Sequence, residues 1–235
     1  MNLPQFKPTA LNTYIIVHPE NMPEQYDFAL ELSSSRKLES AGDIEGACNV
    51  RFKAFQCLID LIPDEDEVVL DWEDENSQAA LAIIHASAID HFLAGDFEMS
   101  AGMMEILTDL DPEDHFEGTK VLAYNYVALE EYELFDEIIN DVSDKYAEKD
   151  VLKMWSDFRR DGGIVEGELR HFKRSFPFCY QEFISAEHPI DQEYLSDIES
   201  EHPTRPALAR ELWLQTEHLW LLYPEFIVAL RKTAE

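Results

Sequence analysis

The stretch Leu81–Asp114, LAIIHASAIDHFLAGDFEMSAGMMEILTDLDPED, decides the fold. Ala94-Gly95-Asp96-Phe97 makes a turn between two helical runs, and Leu110-Asp111-Pro112-Glu113-Asp114 closes a 34-residue unit. The same turn occurs earlier as Ala41-Gly42-Asp43-Ile44 and later, worn down, as Leu129-Glu130-Glu131-Tyr132. Phe97 and Tyr132 are 35 residues apart, while Ile44 and Phe97 are 53 apart. The longer interval holds an acidic linker, Pro63–Asn76, which reads as a surface loop or as short helix extensions pinned by Val68-Val69-Leu70 and Trp72. A two-helix unit of this size cannot bury its apolar face alone, so the copies are expected to stack into a solenoid.

Working outward, the first repeat spans about Glu24 to Pro63. Its leading helix carries Phe28, Leu32 and Leu38, and its second carries Ala47, Val50, Ala54, Leu58 and Leu61. This spacing is the helical period. Upstream lies an arm over residues 1–24, where four prolines surround Tyr14-Ile15-Ile16-Val17. Proline fixes φ, so continuous helix is excluded there, and the apolar run is expected to pack onto the first helices. Downstream, Val151–Phe183 reads as a fourth, degenerate pair broken at Asp161-Gly162-Gly163, with Phe176 on the lining of its second helix. A short helix at Gln192–Ser200, a long one at Ala207–Leu222 and a last one from Pro224 follow. Trp213 and Trp220 share a face with Ala209 and Thr216, a stripe suited to sealing the end of a solenoid.

The second repeat resembles the tetratricopeptide repeat: Ile84, Ala88, Gly95, Phe97, Ser100, Met104, Leu107 and Pro112 fall on that family's positions, with His91 where a large aromatic is usual. Gly42, Ile44, Ala47 and Ala54 match in the first unit. Ala128, Tyr132, Phe135, Ile139 and Val142 match in the third, with one inserted residue. The order of Leu110–Asp114, Phe176-Pro177-Phe178, Leu212-Trp213 and Pro224-Glu225-Phe226 also resembles a bacterial group of tetratricopeptide-like proteins without an assigned function. The resemblance implies an all-α, right-handed α-α superhelix over residues 25–175, with a C-terminal helical cap over 176–235 packed on it as a single domain.

Charge narrows the partners. Lys and Arg total 18 against 49 Asp and Glu, a formal net charge of -31. Nucleic acid and anionic membranes are disfavoured, because binding them rests on Lys and Arg. Pro63–Asp150 holds 26 acids and three lysines, whereas Val151–Ser175 holds Lys153, Arg159, Arg160, Arg170, Lys173 and Arg174 against four acids. That asymmetry allows a basic partner, or a homodimer in which the basic segment of one subunit docks on the acidic middle of another. Three cysteines without a CxxC pair point to a reducing compartment. With no leader pattern and no long apolar run, the expected address is cytoplasmic.

Nothing in the sequence assembles a catalytic motif. There is no HExxH, no paired CxxC and no glycine-rich phosphate loop. His85 and His91 lie on different helix faces, and the pairs Glu187-His188, Glu201-His202 and Glu217-His218 sit on separate elements. No catalytic, metal or cofactor residues are assigned, and an atypical metal-dependent hydrolase is the least favoured reading. The favoured one is a non-catalytic adaptor. In the tetratricopeptide family the leading helices line a concave groove, and the matching positions here are Leu32, Arg36, His85, Ile89, Phe92, Thr119, Ala123 and Tyr126. The Lys and Asn that grip a carboxylate in some family members are absent, so the expected partner is an apolar or basic peptide rather than an acidic one.

Overall fold

The computed structural model describes residues 3–18, 26–65 and 67–233. The end of the expected arm, the start of the first repeat at Glu24 and linker residue Asp66 lie outside them. Helix accounts for 67% of the structure, in twelve helices among the described residues, with one three-stranded sheet. The mostly helical reading therefore holds. The chain divides into two compact units, Met1–Asn125 and Tyr126–Glu235.

The first unit opens with strands β1 (Gln5–Ala10) and β2 (Thr13–Val17), then helices α1 (Phe28–Ser40) and α2 (Ile44–Ile59). Strand β3 (Val69–Leu70) and helices α3 (Glu75–Ala94) and α4 (Phe97–Leu110) follow. The two Gly-Asp turns work by the same division of labour. Gly42 (φ +83°) and Gly95 (φ +78°) take the left-handed conformation that ends a helix, and a side chain other than glycine strains there. Asp43 and Asp96 then cap the next helix, accepting from the backbone N–H of Gly46 and of Met99. α1 packs on α2 and α3, α2 on α3, and α3 on α4. Ala47, Ala54, Leu58, Ile84, Ala88, Met104 and Leu107 are fully buried between them. A Cβ built at Gly42 meets nothing within 4 Å. Gly42→Ala is therefore expected to destabilise this unit through backbone strain alone, by about 1 kcal/mol in thermal unfolding.

The arm is not merely extended chain. β1 and β2 form an antiparallel hairpin through a turn in which Asn12 has φ +58°, and β2 pairs in parallel with β3 from the acidic linker. The aromatic and β-branched run Tyr14–Val17 supplies the strand propensity, but its second partner, β3, lies in the linker, out of reach of a local reading. Ile16 is completely buried. Its N–H donates to Asp74 Oδ2 at 3.4 Å, and Asn76 Nδ2 donates to its carbonyl at 3.0 Å. The same Asp74 oxygen caps α3 by accepting from Ser77 N–H at 2.8 Å.

Helix α5 (Gly118–Leu129) contains the division between the units. The second unit continues with α6 (Tyr132–Ile138), α7 (Ala147–Asp161), α8 (Glu166–Ser175), α9 (Pro177–Ile184), α10 (Gln192–Ile198), α11 (Arg205–Leu222) and α12 (Pro224–Lys232). The worn third turn carries its wear in its geometry: Glu130 is forced to φ +64°, and Glu131 caps α6 without a side-chain hydrogen bond. Phe176 does not line a continuous helix. It is the break between α8 and α9, with Pro177 at the first position of α9, where a missing N–H costs nothing. Trp155, Phe172, Phe183 and Phe226 are the largest side chains sealed in this core. Ala209, Trp213, Thr216 and Trp220 are all buried, and Trp220 Nε1 donates to Thr216 Oγ1 at 3.0 Å. The tryptophan stripe is thus core packing.

Candidate functional site

The expected groove residues are placed unequally. On α1, Leu32 is half-buried and Arg36 exposed; on α3, His85 and Ile89 are half-buried. Phe92 is only 5% exposed, with the rings of Phe97 and Tyr124 at 6.0 and 6.1 Å. Ala123 is fully buried and Tyr126, which belongs to the second unit, is 6% exposed. Thr119 is half-buried at the start of α5. Leu32, Arg36, His85 and Ile89 therefore remain available on the paired leading helices α1 and α3, while Phe92, Ala123 and Tyr126 serve packing.

His85 and Thr119 are brought to one loop, residues 111–118. Asp114 (φ +53°) accepts from the N–H of Gly118 at 2.6 Å and of Thr119 at 3.3 Å, so it starts α5 as a helix cap does. Asp111 accepts from His115 N–H at 2.8 Å, and its other oxygen lies 2.6 Å from His115 Nδ1. His85 lies against Phe116, with ring centroids at 5.3 Å, and burial pushes its pKa down while Asp114 pulls the other way. Phe116 stands edge-on to Trp72 at 5.5 Å, and Trp72 stacks flat on His115 at 4.0 Å. Trp72 pins the linker through this cluster. Its partners lie 43 or more residues downstream, and no local pattern announces them.

In the second unit a cleft of about 540 Å³ is lined by residues of α7, α8 and their flanks, among them Asp150, Lys153, Glu168, His171 and Ser175. Asp150, His171 and Ser175 are the residue types of a nucleophilic triad, but not its geometry. Asp150 Oδ2 and Ser175 Oγ approach the same nitrogen, His171 Nε2, at 3.5 and 3.4 Å. A triad needs the two partners on opposite ring nitrogens, one to orient the imidazole and one to lose its proton. Burial raises the Asp150 pKa, against a downward pull from His171 and Lys153.

A buried polar cluster lies elsewhere in this unit. Glu182 accepts from Arg210 and lies 2.7 Å from His188 Nδ1, and the His188 ring stacks on Trp213 at 4.0 Å. His188 thus turns to Glu182, six residues away, rather than to its neighbour Glu187. Burial, with Glu148 and Glu182 adding to it, pushes the Cys179 thiol up to about 12, far from a reactive thiolate. Burial raises Cys48 and Cys57 as well. Among the described residues no group of three or more His, Cys, Asp and Glu is arranged to hold a metal ion.

Three of the six cations of the basic segment, Arg159, Arg160 and Lys173, are engaged within their own unit. Arg159 pairs with Glu130 at 2.6 Å and lies over the Tyr223 ring at 4.3 Å. Arg160 grips Asp136 with two nitrogens, at 2.7 and 3.0 Å, and also donates to the Tyr132 carbonyl. Lys173 donates to the Thr233 carbonyl. Arg170 stays exposed beside Glu166 at 3.8 Å. No described helix is long and apolar enough to cross a membrane.

No family model, no curated protein and no solved structure matches the chain.

Proposed function

We propose that the chain is a non-catalytic protein-binding module of the tetratricopeptide-like type, in which helix pairs follow one another in a right-handed superhelix. The carrying observation is the packing of leading helix α1 on leading helix α3, each with its own second helix behind it. That is the arrangement which gives stacked helix pairs a common inner face. Leu32 and Arg36 on α1, and His85 and Ile89 on α3, stand one turn apart on their helices and are not fully buried. Their surroundings are acidic: Glu113 and Glu117 at the neighbouring loop are 84% and 49% exposed. An apolar peptide bearing basic side chains complements such a face, and like-charge repulsion selects against acidic ones.

The test is affinity capture of proteins from host lysate, comparing the wild type with a Leu32→Lys/Ile89→Lys variant. Both positions are partly exposed, so helicity and melting are expected to stay close to wild type, which Phe92→Glu or Tyr126→Glu would not allow. A partner held by the wild type is expected to bind the variant at least about tenfold more weakly, since two lysines would face its basic side chains. Equal retention by both proteins would remove the α1–α3 face from consideration.

A further inference from the structure

We infer that the cleft beside α7 and α8 binds a small organic cation bearing N–H donors, an ammonium or a guanidinium, with Asp150 and Glu168 as its acceptors. Both residues line the cleft, one from each helix. Asp150 Oδ2 and Glu168 Oε2 are out of reach of solvent and receive no hydrogen bond among the described residues. A buried acceptor without a donor costs free energy, and a fold tolerates few of them. Two beside one cleft point to a ligand that brings the donors.

The cleft is also left open where the backbone does not require it. Gly167 lines it in the first turn of α8, and a Cβ built there meets nothing within 4 Å. Glycine weakens a helix relative to alanine, and neither a close approach nor a positive φ calls for it at this position. Its lack of a side chain leaves room in the cleft. The volume of about 540 Å³ falls within the range of about 300–1,000 Å³ usual for small-molecule sites. Phe176, at the break between α8 and α9, adds an aromatic wall, and a ring face attracts an organic cation.

The charges of the lining set the sign of the ligand. Asp144 is paired with Lys149 at 2.7 Å, which leaves Asp150 and Glu168 against Lys153 and His171. Burial raises the pKa of both remaining carboxyl groups, so each lacks the close partner that a bound cation supplies. A metal ion needs ligands converging on one point, and no described group of three does so. The donors of a guanidinium fan out over a plane and reach acceptors that stand apart. Access requires only side-chain movement. His171 Nε2 stands 3.5 Å from Asp150 Oδ2, too far for a good hydrogen bond, and the ring is 53% exposed and easily displaced. Rotation of the Glu168 carboxyl group exchanges its two oxygens.

Titration calorimetry of the intact chain with agmatine, which carries both a guanidinium and an ammonium, tests the site. At about physiological ionic strength, which screens the formal charge of -31, saturable binding is expected. Tetramethylammonium has the charge but no N–H donor, and is expected to bind at least about tenfold more weakly. Asp150→Asn and Glu168→Gln are each expected to weaken agmatine about tenfold, since each removes a charged acceptor. Gly167→Leu alters no charge; it fills the cleft while favouring the helix, so binding should be lost with melting unchanged or raised. Glu193→Gln, exposed on α10 and outside the lining, should bind as the wild type does. The carboxylate variants keep the test open if Gly167→Leu folds poorly. Equal binding of the two cations, agmatine binding that these cleft variants leave intact, or no saturable agmatine binding overturns the inference.

Discussion

Asp90→Ala is expected to destabilise the first unit by about 3–5 kcal/mol, although Asp90 is not part of any apolar cluster. The reason is Arg51. Its side chain is 5% exposed, and Asp90 grips it with two oxygens, at 2.7 Å from both Nε and Nη2. Glu39 approaches the same guanidinium at 3.6 Å but is half exposed, so it cannot replace the lost partner. Alanine at position 90 leaves a buried cation without compensation between α2 and α3. Removing both charges tells a different story. The double variant Arg51→Met/Asp90→Leu is expected to recover most of the loss, because a buried pair repays its own desolvation poorly. Hydrogen exchange of the α2 and α3 amides in the intact chain reports the stability of this unit alone, because both helices lie within residues 1–125. A single variant within about 1 kcal/mol of wild type would show that Arg51 finds water or Glu39 instead.

The second large effect belongs to the other unit. Trp155→Ala is expected to cost about 3–5 kcal/mol, the range for removing a fully buried tryptophan. Trp155 has no exposed surface. Trp220 stands edge-on to it at 5.3 Å, Tyr223 is at 5.6 Å, and Arg159 lies over both Trp155 and Tyr223. Deletion of the indole therefore removes one side of a stack that joins α7 to α11. Trp155→Phe keeps a ring edge in place and is expected to cost clearly less. Thermal unfolding monitored by near-ultraviolet circular dichroism separates the two, since the tryptophans of this unit dominate that signal. Equal losses for Ala and Phe would move the importance of the position from ring packing to the indole N–H.

Which of these features the sequence discloses depends on how far apart the partners are. Gly42-Asp43 and Gly95-Asp96 are adjacent residues with fixed conformational roles, and the helices they separate begin and end where the local pattern places them. Pro224 marks the start of α12 for the same local reason. Phe176-Pro177 misleads, because an apolar periodicity runs through a point where the chain turns; the proline at the first position of α9 was the available signal. The hairpin at Gln5–Val17 is half legible: Tyr14–Val17 has strand composition, but β3 lies more than 50 residues away. The proposed groove suffers most from this limit. A family pattern places Phe92 and Ala123 on a helix face without saying what covers that face. Conversely, nothing local joins Trp72 to His115, His85 to Phe116, or Glu182 to Arg210.

The oxygen of Asp74 that starts α3 also fastens Ile16, 58 residues earlier in the chain. During synthesis the hairpin Gln5–Val17 leaves the ribosome before the acidic linker, and it has neither β3 nor its carboxylate anchor until that linker has followed. For that interval it is an isolated two-stranded ribbon, a form with little stability of its own. Lys7 and Pro8 sit on its outer strand, where a charge and a missing N–H discourage pairing with a stranger. Seating of the hairpin is thus timed by the arrival of Asp74, and the first turn of α3 gains its partners on Ile16 only when that earlier-made ribbon returns to it.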